Sequence, residues 1–157
     1  MEGFELRPEV SMIPAAGRMK TILLVEDENT VRKLLREVFE RSGCEVLACS
    51  HPEEGIETCR RHLGPIDLLL TDVVMPGMNG KEMATRIAKM LPGLRVVFMS
   101  GYTEHVLLQD GELDSRFEYL QKPFSMQALR QRMASVIGEA TVLQSQLGAA
   151  SASTTPL

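Results

Sequence analysis

The sequence predicts an α/β protein with a doubly wound parallel sheet and helices on both faces. Five short apolar runs lie between residues 20 and 122, and each has the length of a single strand. Segments with apolar residues at helical spacing separate most of these runs. Such alternation is typical of parallel sheets, because each helix returns the chain to the edge where the next strand starts.

The five apolar runs are the predicted strands. The third run is continuous enough to be covered on both faces, as the strands of parallel sheets are. In chain order the runs are KTILLVE, CEVLACS, IDLLLTD, LRVVFMSG and FEYLQK.

Amphipathic segments fill the intervals between the strands. Gly43 ends the first predicted helix, Pro52 suits the first turn of the second, and Pro92 stops the third. Residues 103–116 are less periodic and predict a short helix. The predicted apolar faces are Val31, Leu34, Leu35, Val38 and Phe39; then Ile56, Cys59 and Leu63; then Met83, Ile87, Met90 and Leu91; and finally Met126, Leu129, Met133, Val136 and Ile137.

The chain is predicted to contain one domain, over residues 20–139. A length of 157 residues suits a single domain with a sizeable core. Residues 1–19 show no sustained periodicity and are expected to form an arm or linker. Residues 140–157 contain few bulky apolar side chains, so we expect a disordered tail.

Composition excludes several classes of function. The net charge of -4 lacks the basic excess of a direct nucleic-acid binder. No apolar run approaches the ~18 residues of a membrane span, so membrane insertion is not expected. The first residues do not form a secretory signal, and the expected location is the cytoplasm. The three cysteines form no C-x-x-C pair and are expected to be reduced core residues: Cys44, Cys49 and Cys59.

Polar residues gather where the predicted strands end. Glu26 and Asp27 follow the first strand, and Asp72 ends the third. Ser100 ends the fourth strand and Lys122 the fifth. Ligands of open parallel sheets bind at this edge. Each residue alone is more common as a cap, a turn former or a solvated charge, so only the combination indicates a site.

The combination suits phosphoryl chemistry. Three carboxylates at one edge repel one another unless a cation neutralises them. Carboxylate oxygens are ligands for Mg²⁺, which keeps waters that a phosphate can displace. A serine hydroxyl and a lysine ammonium complement the remaining phosphoryl oxygens. Asp72 is then a candidate nucleophile that forms an acyl phosphate.

The same residues resemble the receiver domains of two-component response regulators. The resemblance spans Lys20 to Gly138 and rests on four motifs in order: VEDE, TDVVMPGMNG, MSG and YLQKPF. It implies the flavodoxin-like receiver fold with strand order 2-1-3-4-5. The stretches MSGYTEHV and FEYLQKPF are most similar to receivers attached to hybrid sensor histidine kinases.

The resemblance also implies a role for each site residue. Asp72 would accept a phosphoryl group from a histidine kinase or a phosphotransfer domain, with Ser100 and Lys122 contacting the phosphoryl oxygens. The protein would be a signalling phosphoacceptor and not an enzyme. Lys122-Pro123 would be a cis peptide. The implied Mg²⁺ ligands are Glu26, Asp27, Asp72 and the backbone carbonyl of Val74.

The resemblance further implies a switch made of Ser100 and Tyr119. Phosphorylation adds about -1.5 to -2 charges at the acceptor. Movement of Ser100 toward the phosphoryl oxygens would turn Tyr119 inward. This would alter the surface of residues 103–138, where a partner or a second copy could bind. The acid pair is Glu-Asp where the family more often has Asp-Asp. Glu26 is one methylene longer, which leaves a water-mediated metal contact and an altered metal affinity open.

Three other functions fit parts of the sequence. A degenerate receiver would bind partners without phosphorylation. Phosphatases with an aspartate nucleophile resemble one another in a second aspartate two residues later, where this chain has Val74. A flavodoxin-like cofactor binder would need a phosphate-cradling loop after the first strand, and the acids of EDEN repel phosphate there unless a metal is present.

Overall fold

The computed structural model describes residues 19–101 and 116–138, which form five strands and four helices. The five predicted strands and the four strongly periodic helices are confirmed. The predicted helix at 103–116, apart from its last residue, lies outside the described residues, as do residues 1–18 and 139–157. In chain order the elements are β1 (Thr21–Val25), α1 (Asn29–Arg41), β2 (Glu45–Cys49), α2 (Pro52–Arg61), β3 (Leu68–Asp72), α3 (Gly80–Met90), β4 (Arg95–Ser100), β5 (Phe117–Gln121) and α4 (Met126–Ile137).

All five strands pair in parallel in the order β2-β1-β3-β4-β5. This confirms the doubly wound sheet and its strand order. β1 and β3 are neighbours, and Val25 lies opposite Thr71 in their register. Glu26 follows Val25 and Asp72 follows Thr71, so the two acids lie side by side at the carboxyl ends of β1 and β3.

Both faces of the sheet are covered by helices. Ile22 and Leu24 pack on the face where α1 and α4 lie, against residues such as Leu35 and Leu129. Leu23 and Val25 pack on the opposite face with residues of α2 and α3. Successive residues of a strand point to opposite faces. Every residue of β1 and of β3 is buried, which explains the consecutive apolar residues from Ile22 to Val25 and from Leu68 to Leu70.

The prediction that Leu63 belongs to the apolar face of the second helix is wrong. α2 ends at Arg61, and Leu63 is 92% exposed. The backbone becomes extended at His62, and Gly64 has a φ of 119° that favours glycine. The chain therefore turns away from the core one residue before Leu63.

The cysteines lie in the core, as predicted. Cys44, Cys49 and Cys59 are buried and free of disulfides. Burial raises the pKa of the Cys44 and Cys59 thiols to about 11, so both are uncharged near neutral pH.

None of the helices within the described ranges has the length and apolar character needed to cross a membrane.

Gly80 allows α3 to begin against the end of β3. Its amide donates a hydrogen bond of 2.7 Å to the carbonyl of Val73. A Cβ at Gly80 would lie 1.8 Å from the carbonyl oxygen of Asp72, which is far inside van der Waals contact. The preceding residue, Asn79, caps α3 by accepting from the amide of Glu82 at 2.8 Å. Together these contacts set the backbone around Asp72.

We expect Gly80→Ala to destabilise the fold by about 1–3 kcal/mol, because the added methyl must push two backbone segments apart. The free energy of unfolding in urea measures this. Gly93→Ala is the matched control, since a Cβ there meets nothing within 4 Å. The control should change stability by less than about 0.5 kcal/mol. Equal unfolding midpoints for the two variants would contradict the steric argument.

Candidate functional site

Three carboxylates meet at the carboxyl ends of β1 and β3. Glu26, directly after β1, is 1% exposed, and Asp72, the last residue of β3, is 7% exposed. Asp27 is exposed at the rim. One oxygen from each lies within 4.8 Å of the others, a group that could hold a metal ion. The predicted acid cluster is thus present.

Only one of the two carboxyl oxygens of Glu26 accepts a hydrogen bond from a described residue. Its Oε2 accepts a hydrogen bond of 2.9 Å from the amide of Glu28. Its Oε1 is buried and accepts no hydrogen bond from any residue in the described part of the chain. Lys122 Nζ lies 3.9 Å from Oε1, which is an ion-pair distance but too long for a hydrogen bond. When protonated, Glu26 can instead donate to Asp72.

The electrostatics of the cluster favour that proton. The pKa of Glu26 is raised from 4.5 to about 8, most strongly by burial and further by the hydrogen bond and negative charge of Asp72. The amide of Glu28 and the charge of Lys122 oppose it. Without a metal ion, these effects favour the protonated form of Glu26.

Lys122 forms the direct ion pair of the site. Its Nζ lies 2.9 Å from Asp72 Oδ1, and its side chain is 34% exposed. Burial alone would lower the pKa of Lys122, but its hydrogen bond and attraction to Asp72, with attraction to Glu26, raise the pKa overall. The ammonium therefore stays charged. The peptide bond between Lys122 and Pro123 is cis, as the resemblance implied.

These residues fit a divalent cation. Within the described residues the buried Oε1 of Glu26 has no hydrogen-bond donor, and the neighbouring carboxylates would repel a negative charge there. An octahedral ion such as Mg²⁺ accepts one or two carboxylates and keeps several waters. Bound here, it would replace the proton on Glu26 and offset the charges of Asp27 and Asp72.

The other predicted site residues lie around this cluster. Ser100 is the last residue of β4, is buried, and its carbonyl accepts from the amide of Lys122 at 3.1 Å. Val74 lies two residues beyond Asp72, with a side chain that is 64% exposed. The structure thus brings Ser100 to the strand-end edge, whereas the metal contact of the Val74 carbonyl stays a prediction.

Tyr119 lies on β5, three residues before Lys122. Its ring stacks on Phe98, with ring centroids 5.6 Å apart and planes at 17°. Phe98 is fully buried in β4 and also meets the edge of Phe117. The half-buried Tyr119 is therefore packed against the core, and its switch role stays a prediction.

Two residues that shape the site were not predicted from the sequence. Because Gly80 has no side chain, α3 can begin next to the backbone of Asp72. Arg32 donates a hydrogen bond of 2.9 Å from Nη1 to the carbonyl of Glu26. Gly80 does lie in the TDVVMPGMNG motif, and Arg32 lies six residues after Glu26, but neither spacing alone indicates these contacts.

Comparison with known proteins agrees with the geometry. The family model for the response regulator receiver domain matches residues 22–134. The response regulator receiver protein CpdR of Brucella abortus is 37% identical over 111 residues, which cover 71% of this chain and 91% of CpdR.

Two further relatives differ in context. The sensor kinase CckA of Brucella abortus is 34% identical over 69% of this chain, and the chain spans only 12% of CckA. The response regulator TrrA of Thermotoga maritima, solved in complex with Mg²⁺-BeF, is 28% identical with a TM-score of 0.64. That alignment covers 75% of this chain and 99% of TrrA.

The raised pKa of Glu26 predicts how stability depends on pH without metal. Between pH 4.5 and about 8 the folded state keeps a proton that the unfolded state releases, so stability falls as pH rises through this window. Glu26→Gln should remove that part of the slope and be more stable at pH 9 by about 1–3 kcal/mol.

Urea unfolding of the metal-free protein from pH 4 to 9 tests this. Glu40→Gln is the control, since Glu40 is exposed on α1 and pairs only with Arg36 among its described contacts. The control should keep the wild-type slope. If Glu26→Gln also keeps it, Glu26 does not hold the proton.

Proposed function

Because the chain belongs to the response regulator receiver domain family, we propose that residues 20–139 accept a phosphoryl group on Asp72 and act as a phosphorylation-switched signalling module. The donor is the phosphohistidine of a histidine kinase or a phosphotransfer domain, and the exchange takes place in the cytoplasm. The chemistry of the chain is limited to its own phosphorylation and dephosphorylation. The observation that carries the proposal is the 2.9 Å contact between Lys122 Nζ and Asp72 Oδ1 inside the acid cluster.

The site supplies each part of the transfer. An oxygen of Asp72 forms a bond to phosphorus as the phosphorus–nitrogen bond of phosphohistidine breaks, and its electron pair returns to the imidazole. Lys122, which pairs with Asp72 beforehand, then contacts a phosphoryl oxygen. Ser100 donates its hydroxyl proton to another. Bound Mg²⁺ supplies positive charge that offsets the transferring group.

Several observations support Mg²⁺ as the cofactor. The acids Glu26, Asp27 and Asp72 converge, and Glu26 Oε1 lacks a donor within the described residues. The related TrrA was solved with Mg²⁺-BeF. We assign the protein ligands to these three carboxylates and the carbonyl of Val74.

The rival functions are less well supported. A degenerate receiver needs none of the reactive groups, yet Asp72, Ser100 and Lys122 are all gathered at the strand-end edge. An aspartate-nucleophile phosphatase needs an acid–base group two residues after the nucleophile, and Val74 cannot transfer a proton. The degenerate receiver remains the alternative that phosphorylation would exclude.

The proposed output surface covers residues 103–138, whose described part, residues 116–138, contains β5 and α4. On this surface Glu118 of β5 bridges Arg95 of β4, at 2.9 Å, and Arg132 of α4, at 3.0 Å. A change in β5 would therefore reach α4 directly. The partner would be a protein or a second copy of the chain, with no direct contact to nucleic acid.

Phosphorylation is tested by intact mass after incubation with acetyl phosphate and Mg²⁺. We expect a gain of one phosphoryl group. It should be absent in Asp72→Asn and when a chelator removes Mg²⁺. If wild type gains nothing while remaining folded, the degenerate receiver becomes the better account.

The output surface is tested with beryllium fluoride, a phosphoryl analogue, by NMR. With Mg²⁺ present, amide resonances of β5 and α4 should shift together with those near Asp72. Ser100→Ala should keep the shifts near Asp72 and reduce those of Tyr119 and α4. Shifts confined to residues near Glu26 and Asp72 in wild type would contradict the proposed surface.

A further inference from the structure

Arg32 connects the first turn of α1 to the loop that precedes it, Glu26 to Glu28, which is called the acid loop below. It is half-buried. Its Nη1 donates 2.9 Å to the backbone carbonyl of Glu26, while Nη2 donates to the side-chain oxygen of Asn29. Arg32 also starts the helix, since its amide donates to the carbonyl of Glu28 at 2.9 Å. One side chain thus contacts both the loop and the helix that follows it.

That loop determines where Asp27 lies. On one side, the amide of Glu26 donates to the carbonyl of Cys49 at 3.1 Å, which extends the pairing of β1 with β2. On the other side, the amide of Glu28 donates to the carboxylate of Glu26. Asp27 is exposed between these two anchors. The direction of its carboxylate therefore depends on the backbone that Arg32 holds.

We propose that Arg32 is a positioning residue for the metal site, and this inference rests on the proposed Mg²⁺ site. Arg32 fixes the Glu26 carbonyl and so sets the backbone from which Asp27 reaches the ion. Partners of this kind, which orient metal ligands without contacting the ion, commonly change metal affinity about 10–100-fold when they are lost.

The geometry distinguishes this role from a simple effect of charge. The guanidinium has donors fixed in a planar fork, and here two nitrogens serve two acceptors, Glu26 and Asn29. A lysine would keep the positive charge but offer one small ammonium on a flexible stem. Arg32→Lys therefore removes the positioning and retains the charge.

The test is the dissociation constant for Mg²⁺, measured by titration calorimetry at fixed pH. We expect Arg32→Lys and Arg32→Gln both to weaken Mg²⁺ binding roughly tenfold. The Mg²⁺ concentration for half-maximal phosphorylation by acetyl phosphate should rise by a similar factor. The rate at saturating Mg²⁺ should stay near wild type, a division that a general loss of folding would not produce.

Arg36 provides the matched control, one turn later on α1. It is 53% exposed and pairs with Glu40, away from the acid loop. Arg36→Lys and Arg36→Gln should bind Mg²⁺ like wild type. If an Arg32 variant does not fold, Asn29→Ala tests the same contact, because it removes only the acceptor that orients the guanidinium, and it should weaken binding in the same direction.

The outcomes separate the two proposals. If wild type binds Mg²⁺ and the dissociation constant of Arg32→Lys lies within about twofold of the wild-type value, the positioning role is overturned. The receiver function is then left intact. Wild type that binds no Mg²⁺ and gains no phosphoryl group would instead overturn the proposed function. Weakened binding in both Arg32 variants, with the Arg36 variants unchanged, supports the inference.

Discussion

The rest of the site depends on two carboxyl groups held side by side in a buried place. Glu26 and Asp72 leave adjacent parallel strands, and neither side chain can reach bulk water freely. Burial and mutual repulsion make two negative charges there unfavourable. A proton on Glu26, the ammonium of Lys122 and a divalent cation are three ways to offset them. The proposed phosphoryl group on Asp72 would add charge to the same place and so would change the balance among these three.

The fold prevents the acids from moving apart. β1 and β3 are buried on both faces, which holds their ends rigidly. Gly80 lets α3 press against the backbone of Asp72, and Arg32 holds the carbonyl of Glu26. Relaxing the repulsion would require disrupting the packed core on one or both faces. The apolar core therefore does more than stabilise the domain, since it keeps the carboxyl groups close enough that a cation could bind between them.

Much of this could be predicted from the sequence, for identifiable reasons. Strands buried on both faces read as apolar runs, and the acids that end them must meet at one edge. The strand order that places Glu26 beside Asp72 came from the resemblance and not from periodicity. The prediction that Leu63 lies on the apolar face of α2 was wrong because helical spacing does not show that the backbone leaves the helix at His62. The contact of Arg32 with a backbone carbonyl and the stacking of Tyr119 on Phe98 depend on loop geometry and strand register, which local patterns do not contain.

The stacking of Tyr119 bears on how a signal would leave the site. Phe98 and Tyr119 are opposite each other in the β4–β5 register, and their rings stack. β5 leads directly into Lys122, whose ammonium pairs with Asp72, and the amide of Lys122 donates to the carbonyl of Ser100. A phosphoryl group that draws Lys122 and Ser100 toward its oxygens would pull on the ends of β4 and β5 together. Through the ion pair of Glu118 with Arg132, the proposed displacement would reach α4, and the stacking of Tyr119 on Phe98 would limit how far β5 can move.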